Sequence, residues 1–221
     1  MAEHDSFQNM HNDELEEEAI VEAYCFNCRA KHEMLNPTPV WTSQGRPGTR
    51  GDCANCGGIV YIMGYTPAHD RLAQPEAINV VDNRGLKRDS RAAKIKIEAA
   101  TYIVSAATDS DFAEKLSHDL NTFGISTWVD NGEQADNINW AGEVHPALDQ
   151  CKKLVVVMSE FTPKTAHVIE AWEYFKRKRK PIFIAMLGNV EPPDALRRCP
   201  RFEMSTDYKS GFRQLVQELS Q

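Results

Sequence analysis

The chain predicts an α/β protein, with a doubly wound, five-stranded parallel sheet over residues 99–221 and a small cysteine-bearing unit before it over 19–65. Three observations predict this. Short, β-branched apolar runs alternate with helical spacings of apolar residues through the C-terminal half. Two Cys-x-x-Cys pairs sit near the N-terminus. Between the two regions, over 66–98, Thr66-Pro67 and Gln74-Pro75 mark turns that lead into a basic connector.

Residues 1–18 hold seven of the 32 acidic residues and no Lys or Arg, the composition of a disordered, solvated tail. Without them 25 acids face 25 bases, so the net charge of -7 belongs to the tail and the remainder is balanced. That balance argues against a strongly basic nucleic-acid binder. No stretch approaches the roughly 20 consecutive apolar residues of a membrane helix, and the acidic start lacks the basic and apolar regions of a secretory signal. The chain reads as cytoplasmic, with no membrane partner.

The cysteine unit follows. Cys25-Phe-Asn-Cys28 and Cys53-Ala-Asn-Cys56 are 24 residues apart, and two such knuckles bring four thiolates within tetrahedral reach of one structural Zn2+. Two pairs together favour metal over redox chemistry, and a unit this small needs the metal for much of its folding energy. Arg29, Lys31, Arg46 and Arg50 could meet phosphates, but Glu22, Glu33 and Asp52 nearly offset them. The connector adds Arg84, Lys87, Arg88, Arg91, Lys94 and Lys96, which suit a solvated helix better than a nucleic-acid surface.

From residue 99 the alternation is regular. Residues 102–106 are a buried strand. Phe112, Leu116, Leu120 and Phe123 mark a helix that Gly124 ends. Residues 125–129 are a second strand, and 130–139 a polar loop. Trp140 to Leu148 reads as a short helix on the spacing of Val144 and Leu148. Residues 154–158 are apolar throughout, as a central strand covered on both faces should be. Thr162 and Pro163 suit the cap and first position of the next helix, with Val168, Ala171, Trp172 and Phe175 as its core stripe. Residues 182–187 and 202–204 are the fourth and fifth strands, and Phe212, Leu215, Val216 and Leu219 mark a final helix.

Strands joined through helices imply right-handed crossovers and the flavodoxin-like order 2-1-3-4-5. Ligands then bind outside the carboxyl ends of the first and third strands, at Ser105-Ala106 and Met158-Ser159. Trp140 and Trp172 read as packing residues, and Cys151 and Cys199 as buried thiols rather than nucleophiles. The run 176–180, Lys-Arg-Lys-Arg-Lys, suits a helix C-terminus. His118, His145 and His167 share no spacing and receive no role.

Tyr102-Ile103-Val104-Ser105 with Asp109-Ser110-Asp111-Phe112-Ala113 resembles the first box of Toll/interleukin-1 receptor (TIR) domains. Residues 125–130 and the polar loop after them are similar to the family's second strand and BB loop, here 131–137. Ser159, Thr165 and Glu170 repeat the spacing of the serine, small hydroxyl residue and glutamate of its enzymatic members. The sequence departs at Ala106, where members usually carry an aromatic residue, and at His167, where they often carry Trp.

The resemblance implies an NAD+ glycohydrolase with Glu170 as the catalytic carboxylate, and NAD+ contacts from Ser105, Ala106, Asp130 and Ser159. Asp130 has an equally good reading as an anchor of the loop. The resemblance also implies activation by self-association and a prokaryotic antiviral or cell-suicide role. A non-enzymatic TIR adaptor is the alternative, and the product is left open among linear, cyclised and base-exchanged forms. The cysteine unit looks like a short bacterial zinc-ribbon family found beside diverse domains, which implies a module for a trigger or partner, with nucleic acid as the minor alternative.

Overall fold

The computed structural model describes residues 20–78, 100–130, 132 and 138–221. The acidic tail, the basic stretch of the connector and the BB loop other than Gly132 lie outside the described residues. The chain divides into two compact units, Met1–Pro39 with Gly48–Leu72 and Val40–Pro47 with Ala73–Gln221.

The smaller unit is an antiparallel sheet of β1 (Glu22–Cys25), β2 (Ala30–Trp41), β3 (Pro47–Cys53) and β4 (Ile59–Met63), in that spatial order. Side chains alternate across β1: Ala23 and Cys25 are buried while Glu22 and Tyr24 are exposed. The buried apolar cluster consists of Ala23, Cys25, Met34, Cys53 and Val60, so two of its five members are thiols.

The larger unit carries five parallel strands: β5 (Thr101–Val104), β6 (Thr127–Asp130), β7 (Lys153–Met158), β8 (Ile182–Met186) and β9 (Arg201–Glu203). Their order is β6-β5-β7-β8-β9, the doubly wound flavodoxin-like arrangement. The helices are α1 (Ser110–Thr122), α2 (Pro146–Gln150), α3 (Ala166–Arg177) and α4 (Tyr208–Leu219). Alternation along the strands sends Ile103, Val155, Val157, Phe183 and Phe202 to one face, against Leu116 and Leu120 of α1 and Phe212, Leu215 and Leu219 of α4. Tyr102, Val104, Leu154, Val156 and Ile184 face the other way, against Ala147 and Leu148 of α2 and Val168, Trp172 and Phe175 of α3. Each fully buried Leu on these faces contributes about 1.5–3 kcal/mol. Gly124, at φ +84°, ends α1. Its N–H donates to Asn121 O at 3.0 Å and that of Ile125 to Leu120 O at 3.0 Å, the paired bonds of a Schellman cap.

Two helix starts differ from the sequence expectation. The helix expected over Trp140 to Leu148 is confined to Pro146–Gln150. Proline disfavours helical geometry in the residue before it but suits a first turn, and the His145 ring accepts the Ala147 N–H at 3.3 Å as the cap. Glu143 has φ +63°, which breaks any helix through 140–145. In the second case Thr162–Lys164 forms a single 3-10 turn, and α3 begins at Ala166. The Thr162 hydroxyl does not cap α3. It donates to Val157 O at 2.8 Å and accepts from Ser159 N at 2.9 Å, closing the end of β7 instead.

Candidate functional site

Strand register brings the ends of β5, β6 and β7 together: Val104 pairs with Asp130 on one side and Val156 on the other. The chain leaves β5 through Ser105 and Ala106, both buried. Ser105 N donates to Asp130 O at 3.1 Å, prolonging the ladder by one step. Its carbonyl accepts from His167 Nε2 at 2.9 Å. Its hydroxyl is fully buried with no hydrogen-bond partner among the described residues, an arrangement that costs stability and is uncommon away from sites.

Asp130 ends β6 and is also buried. Its Oδ2 accepts from Tyr102 OH at 2.6 Å and its Oδ1 from Gly132 N at 3.0 Å. Both oxygens are therefore engaged, Oδ2 by β5 and Oδ1 by Gly132 in the geometry of an Asx turn. Ser159, at the end of β7, donates from Oγ to Asp109 Oδ2 at 2.5 Å and accepts from Phe161 N at 3.2 Å. Asp109 occupies the cap position of α1, but its side chain makes no capping bond and ties the loop after β5 to the loop after β7.

Between these loops lies a cavity of about 470 Å³, lined by Ala106, Ala107, Thr108, Gly132, Phe161, Lys164, Thr165 and His167. Of the residues singled out from sequence, Ala106 and Thr165 line it. Ser105, Asp130 and Ser159 brace its walls. Glu170 is exposed on α3, outside that lining, three residues on from His167 and so near it on one helix face. His167, Lys164, Phe161 and Thr108 were not assigned from sequence. The family spacing marks position 167, but the bond from its ring to Ser105 spans 62 residues and has no local signal. A larger cavity of about 710 Å³, with Trp140, Glu143, Asp149, Tyr174 and Arg177 in its wall, lies toward the other end of α3. Ligands of this sheet topology bind outside the carboxyl ends of the strands, so the smaller cavity is the candidate site.

Other groups have structural partners. Trp172 is buried in the core, whereas Trp140 is half-buried with its ring edge-on to His145 at 5.6 Å. Burial holds the His145 ring below the ordinary imidazole range, with Asp130 opposing that shift. Lys180 donates to Asp149 O at 2.6 Å and Cys151 O at 2.9 Å, capping the last carbonyls of α2. Cys151 is buried and Cys199 half-buried. Burial pushes Cys151 up to about 12 and also raises Cys199, the opposite of an activated nucleophile.

In the smaller unit Cys25, Cys28, Cys53 and Cys56 form one cluster, all four Sγ atoms lying within 4.8 Å of one another. Cys25 Sγ is 3.5 Å from Cys56 Sγ, and Cys28 Sγ is 4.0 Å from Cys53 Sγ. Asn55 Nδ2 donates to Cys28 Sγ at 3.3 Å, an outer contact that orients the sulfur. Cys25 and Cys28 are shifted in opposite directions. The Cys28 backbone N–H holds Cys25 down to about 7. At Cys28 the Asn55 amide acts in the same direction, but Cys56, burial, Cys25 and Cys53 together push it up to about 12. Four sulfurs this close together could hold a metal ion.

The family described as TIR domain matches residues 102–216, and a domain of unknown function (DUF5679) matches residues 24–63. Among solved structures, the chain is similar to the TIR domain of the Toll-related receptor TRR-2 from the lower metazoan Hydra magnipapillata. Identity there is 17%, covering 56% of this chain and 99% of that one, with a TM-score of 0.47. It is also similar to the TIR domains of the activated Roq1 resistosome, which directly recognises the pathogen effector XopQ, at 18% identity over 55% of this chain and 73% of that one, with a TM-score of 0.35. Among curated proteins no match is found.

Proposed function

The chain belongs to the TIR domain family, and on that premise we propose that it is an NAD+ glycohydrolase with Glu170 as its catalytic carboxylate. The reaction takes NAD+ and water to nicotinamide, ADP-ribose and a proton. Nicotinamide is cationic in the dinucleotide and leaves neutral, so the leaving group needs no acid. Positive charge develops on the ribose as the bond breaks, and a nearby carboxylate stabilises it. The observation that carries the reading is the register of Ser159, Thr165 and Glu170 along the β7 end and α3, beside a cavity that opens between the β5 and β7 ends.

The exposure of Glu170 adds a condition. In open water its field is screened and worth little. A second copy laid over α3 would dry the carboxylate and strengthen it. Activity should therefore depend on self-association. The experiment measures nicotinamide release against protein concentration and under forced clustering, with Glu170→Gln as control. Loss of release in the variant supports the assignment, and unchanged release removes it.

The cysteine cluster is proposed to hold structural Zn2+. Tetrahedral thiolates with Zn–S bonds of about 2.3 Å put the sulfurs about 3.8 Å apart, and the 3.5 and 4.0 Å separations bracket that value. The small apolar cluster beside it is consistent with a unit whose fold depends on the metal. The proposed setting is the cytoplasm, in prokaryotic antiviral or cell-suicide defence, with the zinc unit receiving a trigger. No helix among the described residues is long and apolar enough to cross a membrane.

A non-enzymatic adaptor is the second reading. Two observations favour it: Glu170 is exposed, and Ala106 stands where members usually carry an aromatic residue. Clustered protein that releases no nicotinamide would decide for it.

A further inference from the structure

We propose that His167 selects the dinucleotide by its pyridine substituent, accepting a hydrogen bond from a carboxamide and rejecting a carboxylate. The inference rests on the NAD+-cleaving reading above and names the group in that site that would tell NAD+ from its deamidated analogue.

The argument begins with the tautomer. His167 Nε2 is 2.9 Å from the carbonyl oxygen of Ser105. A carbonyl only accepts, so Nε2 carries the hydrogen, and in the neutral ring Nδ1 then keeps the lone pair. The carbonyl is fixed in turn, because Ser105 is buried and its N–H extends the sheet onto Asp130. The ring therefore cannot turn over without breaking a bond to the end of a central strand.

The second step is where Nδ1 sits. His167 lines the cavity, and Gly132 packs against its ring around Cε1, between the two nitrogens. A Cβ at Gly132 would come 2.6 Å from Cε1 and 2.9 Å from Nδ1, and the residue has φ +81°. The position thus suits glycine twice over, and Nδ1, directed away from the Ser105 carbonyl that holds Nε2, is the ring nitrogen left for a ligand.

The third step weighs the other polar groups there. The Thr165 hydroxyl gives its hydrogen to Phe161 O at 3.0 Å, and as hydroxyls it and Thr108 can each turn to donate or accept, so neither tells an amide from a carboxylate. Lys164 only donates, and its charge would favour a carboxylate. It is exposed, however, so water screens that attraction. Phe161 offers a flat apolar wall beside it. A pyridine ring against Phe161 with a substituent toward Nδ1 would pair an amide N–H with the lone pair, whereas a carboxylate would bring two lone pairs together. Sites built around one hydrogen bond discriminate strongly against the analogue that cannot make it.

The test uses the full chain under forced clustering and compares kcat/KM for NAD+ and for nicotinic acid adenine dinucleotide. Wild type should prefer NAD+ by roughly tenfold or more. His167→Leu should bring the ratio close to one, chiefly by losing NAD+ cleavage. His167→Gln keeps a donor for Ser105 and an acceptor on one side chain, and should retain most of the preference. Melting curves of the three proteins separate this from misfolding. Equal cleavage of both dinucleotides by wild type, or a preference that survives His167→Leu, overturns the proposal while leaving Glu170 in place. Cleavage of neither dinucleotide removes the premise and the proposal together.

Discussion

Ser159→Ala should loosen the tie between the loops after β5 and β7, and its cost can be worked from the contacts. The substitution removes the 2.5 Å bond to Asp109 and the 3.2 Å bond accepted from Phe161 N. A bond to a charged group contributes about 1.5–3 kcal/mol and a neutral one about 0.5–1.5. Asp109 is half-buried, so water replaces part of the first, leaving a total near 2 kcal/mol. Asp109→Asn keeps an acceptor and loses only the charge assistance, about 1 kcal/mol. The double variant has no bond left to weaken, so it should cost about 2 kcal/mol rather than the additive 3. Urea unfolding followed by tryptophan fluorescence reads all three, because Trp172 lies in the core of the same unit. On heating, the single Ser159 variant should melt roughly 6–12 °C lower. Strict additivity within ~0.3 kcal/mol would refute the reasoning, since it would mean that the two side chains do not share their energy.

Glu170→Gln should abolish nicotinamide release under clustering while shifting stability by no more than ~0.5 kcal/mol, because the side chain is exposed; a matching loss of stability in the melting curve would instead assign Glu170 a packing role. Elemental analysis should find about one zinc per chain, and chelation or Cys53→Ser should unfold the smaller unit while the larger one keeps its cooperative transition; a metal-free chain with an intact β1–β4 sheet counts against the site. Because protons compete for the thiolates, the metal should also dissociate more readily as pH falls. Cys151 should lower stability at high pH. Burial raises its folded value from 9.0 to about 12, so the unfolded thiol gives up its proton first and stability falls as pH rises through that window. Cys151→Ala should flatten the decline, and an unchanged slope would assign it to other groups such as Tyr174, which burial also raises to about 12.

Parts of this molecule follow local rules. The apolar run through β7 and the stripe Val168, Ala171, Trp172 and Phe175 could be placed from periodicity, because burial on a fixed face is a one-dimensional pattern. Gly124 could be placed as a helix stop because the left-handed conformation selects glycine. Local rules misled where two of them competed. Val144 and Leu148 have helical spacing, but Pro146 sets the start of α2, and Thr162 has the chemistry of a cap but its hydroxyl finds the end of β7 closer.

From composition and spacing alone came the fold class, the charge balance of residues 19–221 and the pairing of four cysteines, since each depends on residues near in sequence or on counts. The cavity needed the three-dimensional arrangement. Its wall joins residues as far apart as Ala106 and His167, its braces are the bonds Ser159–Asp109 and His167–Ser105, and its mouth turns on Gly132 meeting an imidazole. Such contacts form when a parallel sheet brings distant loops to one end, and no short stretch of chain carries their energy.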